Sequence, residues 1–331
     1  MKTKILQILR QSEGYTSGQE LCEKLGVSRT AVWKAIQQLR ENGYEIEAVS
    51  NRGYRLAAVP DILSRQEIES LVQTEWLGHN IFYYDEIDST NTEAKRRAEE
   101  GAPHGTLVAA DKQNAGRGRR GREWTSPGGQ GIFFTILLRP EIEPVNAPML
   151  TLVKAVAVAR AIIKCTGLRA EIKWPNDIVI NGKKVVGILT EMSAQIDYVN
   201  HIVIGTGINV HQTSFPQEMS EKATSLDIEL KKNGAASPVL RAQLLEEVLE
   251  QFEDCYSVYI RTQDLSGLME EYNQLLVNKE RRVRILDPLG EFEGTALGIN
   301  KQGSLLVERE DGRIAEISSG EVSVRGIYGY V

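Results

Sequence analysis

Little in this chain of 331 residues suits an oxidising compartment. Its three cysteines, Cys22, Cys165 and Cys255, are scattered and odd in number, which argues against a disulfide framework and for a reducing environment. Histidine is also scarce. His79, His104, His201 and His211 show neither i,i+4 pairing nor a cysteine-rich neighbourhood, so no built-in metal site is expected. A long hydrophobic run is missing too. The longest apolar stretch, AVAVARAII at 155–163, is too short to span a bilayer and contains Arg160. The opening KTKILQILR starts basic, but Gln7 and Arg10 interrupt it before a secretory core can form. The expectation is a cytoplasmic protein with no membrane partner.

What is present is ordinary in amount and uneven in place. An apolar fraction of 41% and a charged fraction of 25% are those of a globular protein, and the length predicts two or three domains. The net charge of −6 hides an asymmetry. Residues 1–60 hold nine basic and six acidic residues, net +3, and the remainder 30 against 39, net −9. Only the head has a sign suited to phosphates.

In that head, Ile5, Leu6 and Leu9 mark the apolar stripe of a first short helix. Ser17 followed by Glu20 forms a capping-box pattern opening a second, which carries Leu21 and Leu25 and stops at Gly26. Ser28 is placed to cap a third, with Val32, Ile36 and Leu39 inward and Asn42-Gly43 at its close. Two helices joined by Gly26-Val27-Ser28 read as a helix-turn-helix. The outward face of the third carries Arg29, Thr30, Trp33, Lys34, Gln37 and Gln38, side chains able to meet phosphates or base edges. YEIEAV and GYRL then read as a hairpin wing around Ser50-Asn51-Arg52-Gly53, with Arg52 and Arg55 near its tip. Ser28, Arg29, Thr30, Trp33, Lys34, Gln37 and Arg52 are the expected DNA-binding residues. The competing reading is a helical docking domain with a solvated polar face.

Beyond Val59-Pro60 a linker leads to a helix at 64–74, then strands and helices mix without strict alternation, predicting an α+β domain on a mixed sheet. Strands are expected near 81–86, 106–111, 131–138, 170–173, 177–180, 184–192 and 199–205, and helices near 90–100, 147–165 and 238–260. Between two of the strands lies QNAGRGRRGREWTSPGGQ, residues 113–130, too long for a plain connection. Its glycines let backbone approach an anion, and Arg117, Arg119, Arg120 and Arg122 supply forked donors for phosphate or carboxylate. An RG-rich flexible segment is the bland alternative. EIDSTN (86–91), KWPND (173–177), VVGILTE (185–191) and GTGIN (205–209) each read as a turn at a strand end, Ser89 capping a helix, and together as one pocket.

STN at 89–91, Q-x-A-G-R-G-R at 113–119 with RGREW after it, KWPND, K-x-x-G-I-L at 184–189 and G-x-G-I-N at 205–209 resemble the biotin protein ligases. With the winged head in front, the chain resembles the bifunctional members that also repress transcription. The stretch RRVRILDPLGEFEGTALGINKQGSLLVERE alternates as an all-β segment and is similar to the family's small SH3-like β-barrel. The resemblance implies three parts: a winged helix-turn-helix at 1–60, a ligase domain at 64–275 and the SH3-like domain at 279–331. It implies that biotin and ATP, the latter with Mg²⁺, give biotinoyl-AMP and pyrophosphate, with no permanent cofactor. Biotin then passes to a lysine of the biotin carboxyl carrier protein of acetyl-CoA carboxylase, while biotinoyl-AMP acts as corepressor for operator DNA on a homodimer.

By the same resemblance, Lys184, Arg117 and Arg119 carry the chemistry. Ser89, Thr90, Asn91, Gln113, Gly116, Gly118, Gly187, Leu189, Gly205 and Thr206 join them around biotin, and Arg119, Arg122, Trp124, Asn176 and Asn209 around the nucleotide. Thr206 stands where an aliphatic residue or alanine is expected. A lipoate ligase, and a ligand-sensing repressor without catalysis, are the two other readings. The winged head and the arginine loop count against the first. The presence of Lys184 counts against the second.

Overall fold

The N-terminal stripe buries as its spacing requires. In the computed structural model, which describes all residues except 236–237, 287–289, 319–322 and 327–329, α1 (Lys2–Gln11) turns Ile5, Leu6 and Leu9 inward. Ser17 Oγ accepts from the Glu20 amide at the start of α2 (Gly18–Leu25), and Gly26 ends that helix in the left-handed region at φ 65°, where a Cβ is penalised. Ser28 Oγ accepts from Ala31 N to start α3 (Arg29–Glu41), whose Val32, Ala35, Ile36 and Leu39 close the small core. The wing is an antiparallel pair, β1 (Glu45–Val49) and β2 (Gly53–Ala58). Arg52 lies in its turn. Arg55 does not: it pairs across the strands with Glu47 at 2.9 Å, because the register sets it two positions back from the tip.

The head is clasped to the central domain. On α4 (Arg65–Leu71) the buried Glu67 carboxylate accepts from Arg10 and from the Tyr44 hydroxyl, and Arg10 Nη1 donates to Ser70 Oγ at 2.6 Å. Just before α4, Asp61 takes the Arg241 amide and Nε, each at 2.7 Å, and lies 3.1 Å from His211 Nε2.

That domain holds a seven-stranded mixed sheet. Its strands are β3 (Ile81–Ile87), β4 (Thr106–Gln113), β5 (Gly131–Leu138), β6 (Glu171–Lys173), β7 (Asp177–Ile180), β8 (Lys183–Ala194) and β9 (Val199–Asn209), in the order β3-β4-β5-β9-β8-β7-β6. Only the β3–β4 pair is parallel, bridged by α5 (Thr90–Glu99). Every residue of β5 is buried, in keeping with its near-continuous apolar run GIFFTILL, in which Thr135 is the one hydroxyl. Helices α6 (Met149–Thr166), α7 (Gln217–Ser220), α8 (Leu226–Lys232), α9 (Arg241–Thr262) and α10 (Met269–Leu275) complete the domain. In α6, Lys154 is fully enclosed: its Nζ lies 4.5 Å from the Phe134 ring centroid and 4.7 Å from that of Phe252, with no hydrogen-bond partner among the described residues.

Three sequence expectations are corrected here. GTGIN is not a turn but the second half of β9, so its glycines run as strand floor beside Gly187, which lies inside β8 as the expected strand at 184–192 has it. Ser89 occupies the N-cap position of α5, yet its hydroxyl makes no capping bond; its amide instead donates to Asp88 Oδ1 at 2.7 Å. Helices α7, α8 and α10 were not anticipated, being too short for the 3.6-residue period to stand out.

The C-terminal strands β10 (Arg282–Leu286), β11 (Phe292–Ile299), β12 (Leu305–Arg309), β13 (Ile314–Ile317) and β14 (Ser323–Gly326) form an all-antiparallel sheet ordered β13-β12-β11-β10-β14. Among the described residues no β13–β14 pairing closes it into a barrel. Part of the expected stretch, 287–289, lies outside the described residues. Val283, Ile285, Ala296, Leu305 and Val307 belong to the same apolar core as the ligase sheet. No helix among the described residues is long and apolar enough to cross a membrane.

Candidate active site

Strand β4 runs out at Gln113 and delivers the arginine loop over the β8–β9 floor. A cavity of about 740 Å³ opens between them. Its floor is made by glycine. Gly187 and Gly207 face each other across β8 and β9, and the indole of Trp124 lies on them. A Cβ at Gly207 would stand 2.4 Å from Trp124 Nε1, and one at Gly187 2.9 Å from its Cζ3. Gly205 admits a different group: a Cβ there would meet Asn91 Oδ1 at 2.1 Å. These glycines serve close approach rather than turning.

One end of the cavity is small and polar. Thr90 donates its amide (2.9 Å) and hydroxyl (3.1 Å) to Gln113 Oε1, and Gln113 Nε2 donates to Ser126 Oγ at 2.9 Å. The Thr135 hydroxyl lies 2.9 Å from Thr90 Oγ1 and 2.7 Å from Asn91 Oδ1. Asn91 Nδ2 in turn donates to Leu189 O and Glu191 Oε2, so its amide fastens α5 to β8. Ser89, Thr90 and Asn91 are all buried, which obliges any ligand here to satisfy polar groups rather than merely fill space.

The other end is cationic. Arg117, Arg119, Arg120, Arg122, Lys173, Lys184, Lys222 and Arg325 line it against Glu123, Asp177 and Glu221, an excess of positive charge that the chain's net −6 conceals. Arg119 Nη1 donates to Asn176 Oδ1 at 3.0 Å, and Asn176 Nδ2 donates to Ile188 O at 3.0 Å, tying the loop to β8. Burial draws the Arg119 guanidinium below its ordinary pKa, against the pull of Asp177, and its arginine neighbours add to the lowering. Lys184 Nζ sits 2.6 Å from Asp177 Oδ1. Burial pushes Lys173 down to about 8, with Asp177 opposing. Asp177 is largely covered, its side chain 13% exposed at the cavity wall. Burial disfavours its charge, but Lys184, Tyr330 and Lys173 outweigh that and hold it below the usual carboxylate range.

Most residues singled out from sequence meet in this one cavity: Ser89, Thr90, Asn91, Gln113, Arg117, Gly118, Arg119, Arg122, Trp124, Asn176, Lys184, Gly187, Leu189, Gly205 and Thr206. Two do not line it. Gly116 is buried beneath the loop, where a Cβ would clash with Trp124 O at 2.5 Å, and Asn209 donates to Thr224 O at 3.1 Å. Missed from sequence were Lys173 and Asp177, quoted within KWPND but given no role, together with Lys222, Arg325 and Tyr330. The last three come from segments carrying no local signal. At the head, Arg29, Thr30, Trp33, Lys34 and Gln38 are exposed on one face of α3, with Gln37 half-buried, and Arg52 projects from the wing, 5.1 Å from the Tyr15 ring centroid.

A helix-turn-helix head before a mixed sheet with a deep cationic cleft defines a two-part molecule, one part for nucleic acid and one for an anionic substrate. Comparison with known proteins agrees part by part. Residues 83–209 match the biotin/lipoate A/B protein ligase family, 2–55 an HTH domain and 280–325 the biotin protein ligase C-terminal domain. The chain is 44% identical over 314 residues to the bifunctional ligase/repressor BirA of Bacillus subtilis, covering 94% of each, and 32% identical to that of Escherichia coli, covering 97% and 96%. It is similar to the structure of biotin protein ligase from Aquifex aeolicus in complex with biotin and ATP, with a TM-score of 0.66, 32% identity and coverage of 75% of this chain and 99% of that one. This chain belongs to the biotin protein ligase family, among its bifunctional ligase/repressors.

Proposed function

We propose that the chain activates biotin with ATP and passes it to a lysine of the biotin carboxyl carrier protein of acetyl-CoA carboxylase, and that biotinoyl-AMP makes it a repressor of biotin-synthesis genes. The observation that carries this is the cavity's two-ended chemistry, a buried polar end joined to a cluster of lysine and arginine. In the first step a biotin carboxylate oxygen attacks the α-phosphorus of ATP, and the bond to pyrophosphate breaks. Two anions must meet, so the barrier falls where fixed cations neutralise their repulsion. Lys184, Arg117 and Arg119 take that role, with Arg122 and Trp124 over the nucleotide. The ureido head pairs with Ser89, Thr90 and Gln113, and Gly187, Leu189, Gly205 and Thr206 stand along the tail. Asp177 is already engaged by Lys184 and Tyr330, so Mg²⁺ arriving with ATP leans on phosphate oxygens and water. In the second step the acceptor amine attacks the acyl carbon, AMP leaves, and the amine gives up a proton.

The three-part division at 1–60, 64–275 and 279–331 and a cytoplasmic setting belong to the same reading. So does a homodimer formed on the adenylate, since one head covers one half-site and its +3 charge binds weakly alone. β7 pairs with β8 only over Lys183–Gly187, which leaves the second half of β8 without a strand on that side among the described residues. That half is the sheet edge available to a second copy. Biotin-dependent ATP–pyrophosphate exchange tests the catalytic reading. Exchange driven by lipoate and not by biotin, or no exchange, would refute it.

A further inference from the structure

Tyr330 reaches back from beyond β14 into the cationic end of the cleft. Its hydroxyl donates to Asp177 Oδ2, and its ring centroid lies 3.4 Å from Lys173 Nζ. The opposite oxygen, Asp177 Oδ1, holds Lys184 at 2.6 Å. The turn between β6 and β7 is gripped a second time where Trp174 Nε1 donates to Gly303 O at 3.1 Å, and Val324 and Arg325 line the same wall.

A lysine ammonium on a flexible four-carbon stem has no fixed place of its own, so its partner decides where the charge sits. A carboxylate fastened at one oxygen can pivot, and one fastened at both cannot. Tyr330 also sorts the two lysines, keeping Lys173 against its ring while Lys184 takes the carboxylate. We propose that Tyr330 is a positioning residue for adenylation, pinning Asp177 so that Lys184 Nζ stands where charge develops; this rests on the reading of Lys184 given above. The C-terminal sheet thereby completes the ligase site.

The test compares wild type, Tyr330→Phe and Tyr330→Ala in biotin-dependent ATP–pyrophosphate exchange from about pH 4 to 9, a range that reaches the carboxylate region, with biotin binding by calorimetry. Wild-type exchange comes first, since its absence would fail the adenylation reading whatever Tyr330 does. Given that exchange, Tyr330→Phe should lower kcat by about ten- to a hundredfold, with KM for ATP and biotin within about threefold. Its acid limb should move to higher pH, because Asp177 loses a donor that helps to keep it ionised. A Phe variant with wild-type kcat and pH profile, Ala alone being defective, would reduce the tyrosine to packing and overturn the proposal. So would a Phe variant that loses biotin binding together with rate, since the side chain would then belong to the scaffold.

Discussion

Replacing Lys154 by methionine should stabilise the protein, and by an amount that depends on pH. The amine is enclosed between two phenylalanine rings with no hydrogen-bond partner among the described residues. Burial drives its pKa well below the ordinary lysine value, and the opposing influence of Cys255 is smaller. Contact with two ring faces is worth up to about 2 kcal/mol when desolvated. Removing an ammonium from water costs several kcal/mol even after relaxation, so the neutral amine wins.

The unfolded chain keeps that proton up to about pH 10.4, and the folded chain has released it far earlier. Between those two values protons favour unfolding, by about 1.4 kcal/mol for each pH unit. Methionine has a similar reach, no charge and a flexible stem that suits the gap. Lys154→Met should therefore raise the urea midpoint at pH 7. Its advantage over wild type should shrink by about 1.4 kcal/mol per unit as the pH is raised through 8 and 9. An advantage that does not change with pH, or a variant less stable than wild type at pH 7, would mean that the rings hold the cation in its protonated form.

Three further outcomes are expected. Lys184→Ala should cut the exchange rate by about 10²–10³ with the fold intact, and turnover within a few-fold of wild type would remove the lysine from the chemistry. Gly207→Ala should lift the Trp124 ring by about 1 Å to reach ordinary contact, weakening biotin and ATP binding about tenfold at nearly constant melting temperature; calorimetric affinities equal to wild type would show that the floor has slack. His211 is raised above its ordinary pKa by its hydrogen bond to Asp61, against burial and with help from Asp227, so its contribution is present below about pH 6.5 and fades as pH climbs through the folded value. His211→Gln should thus lower the melting temperature more near pH 6 than at pH 9, and an equal loss at both would exclude a charged clasp.

The head was legible almost to the residue, because caps, stripes and the turn glycine act over three or four positions. Ser17, Gly26 and Ser28 end up doing what their chemistry requires. The arginine loop and the lysine opposite were legible as chemistry. Their distance was not, since Lys184 meets Asp177 only after β7 and β8 pair. The glycines of β9 were read as a turn at the strand end because glycine in a strand looks locally like a break. What keeps them there is Trp124 and Asn91, both far away in sequence. Tyr330 had no sequence signal at all. It is one tyrosine among eleven, made special by the partner it reaches.

The glycine floor also sets how this chain can vary. Glycine has no smaller neighbour in the genetic code, so every missense change at 187, 205 or 207 adds at least one carbon. At these positions the first atom of any new side chain lands within 2.9 Å of Trp124 or Asn91. Elsewhere in the cleft a point mutation trades one set of contacts for another, and selection can grade the result. Here the available alleles all err in the same direction, toward a raised ring or a displaced α5. A lineage that altered its ligand's tail would have to change the residue above the floor before it could change the floor itself.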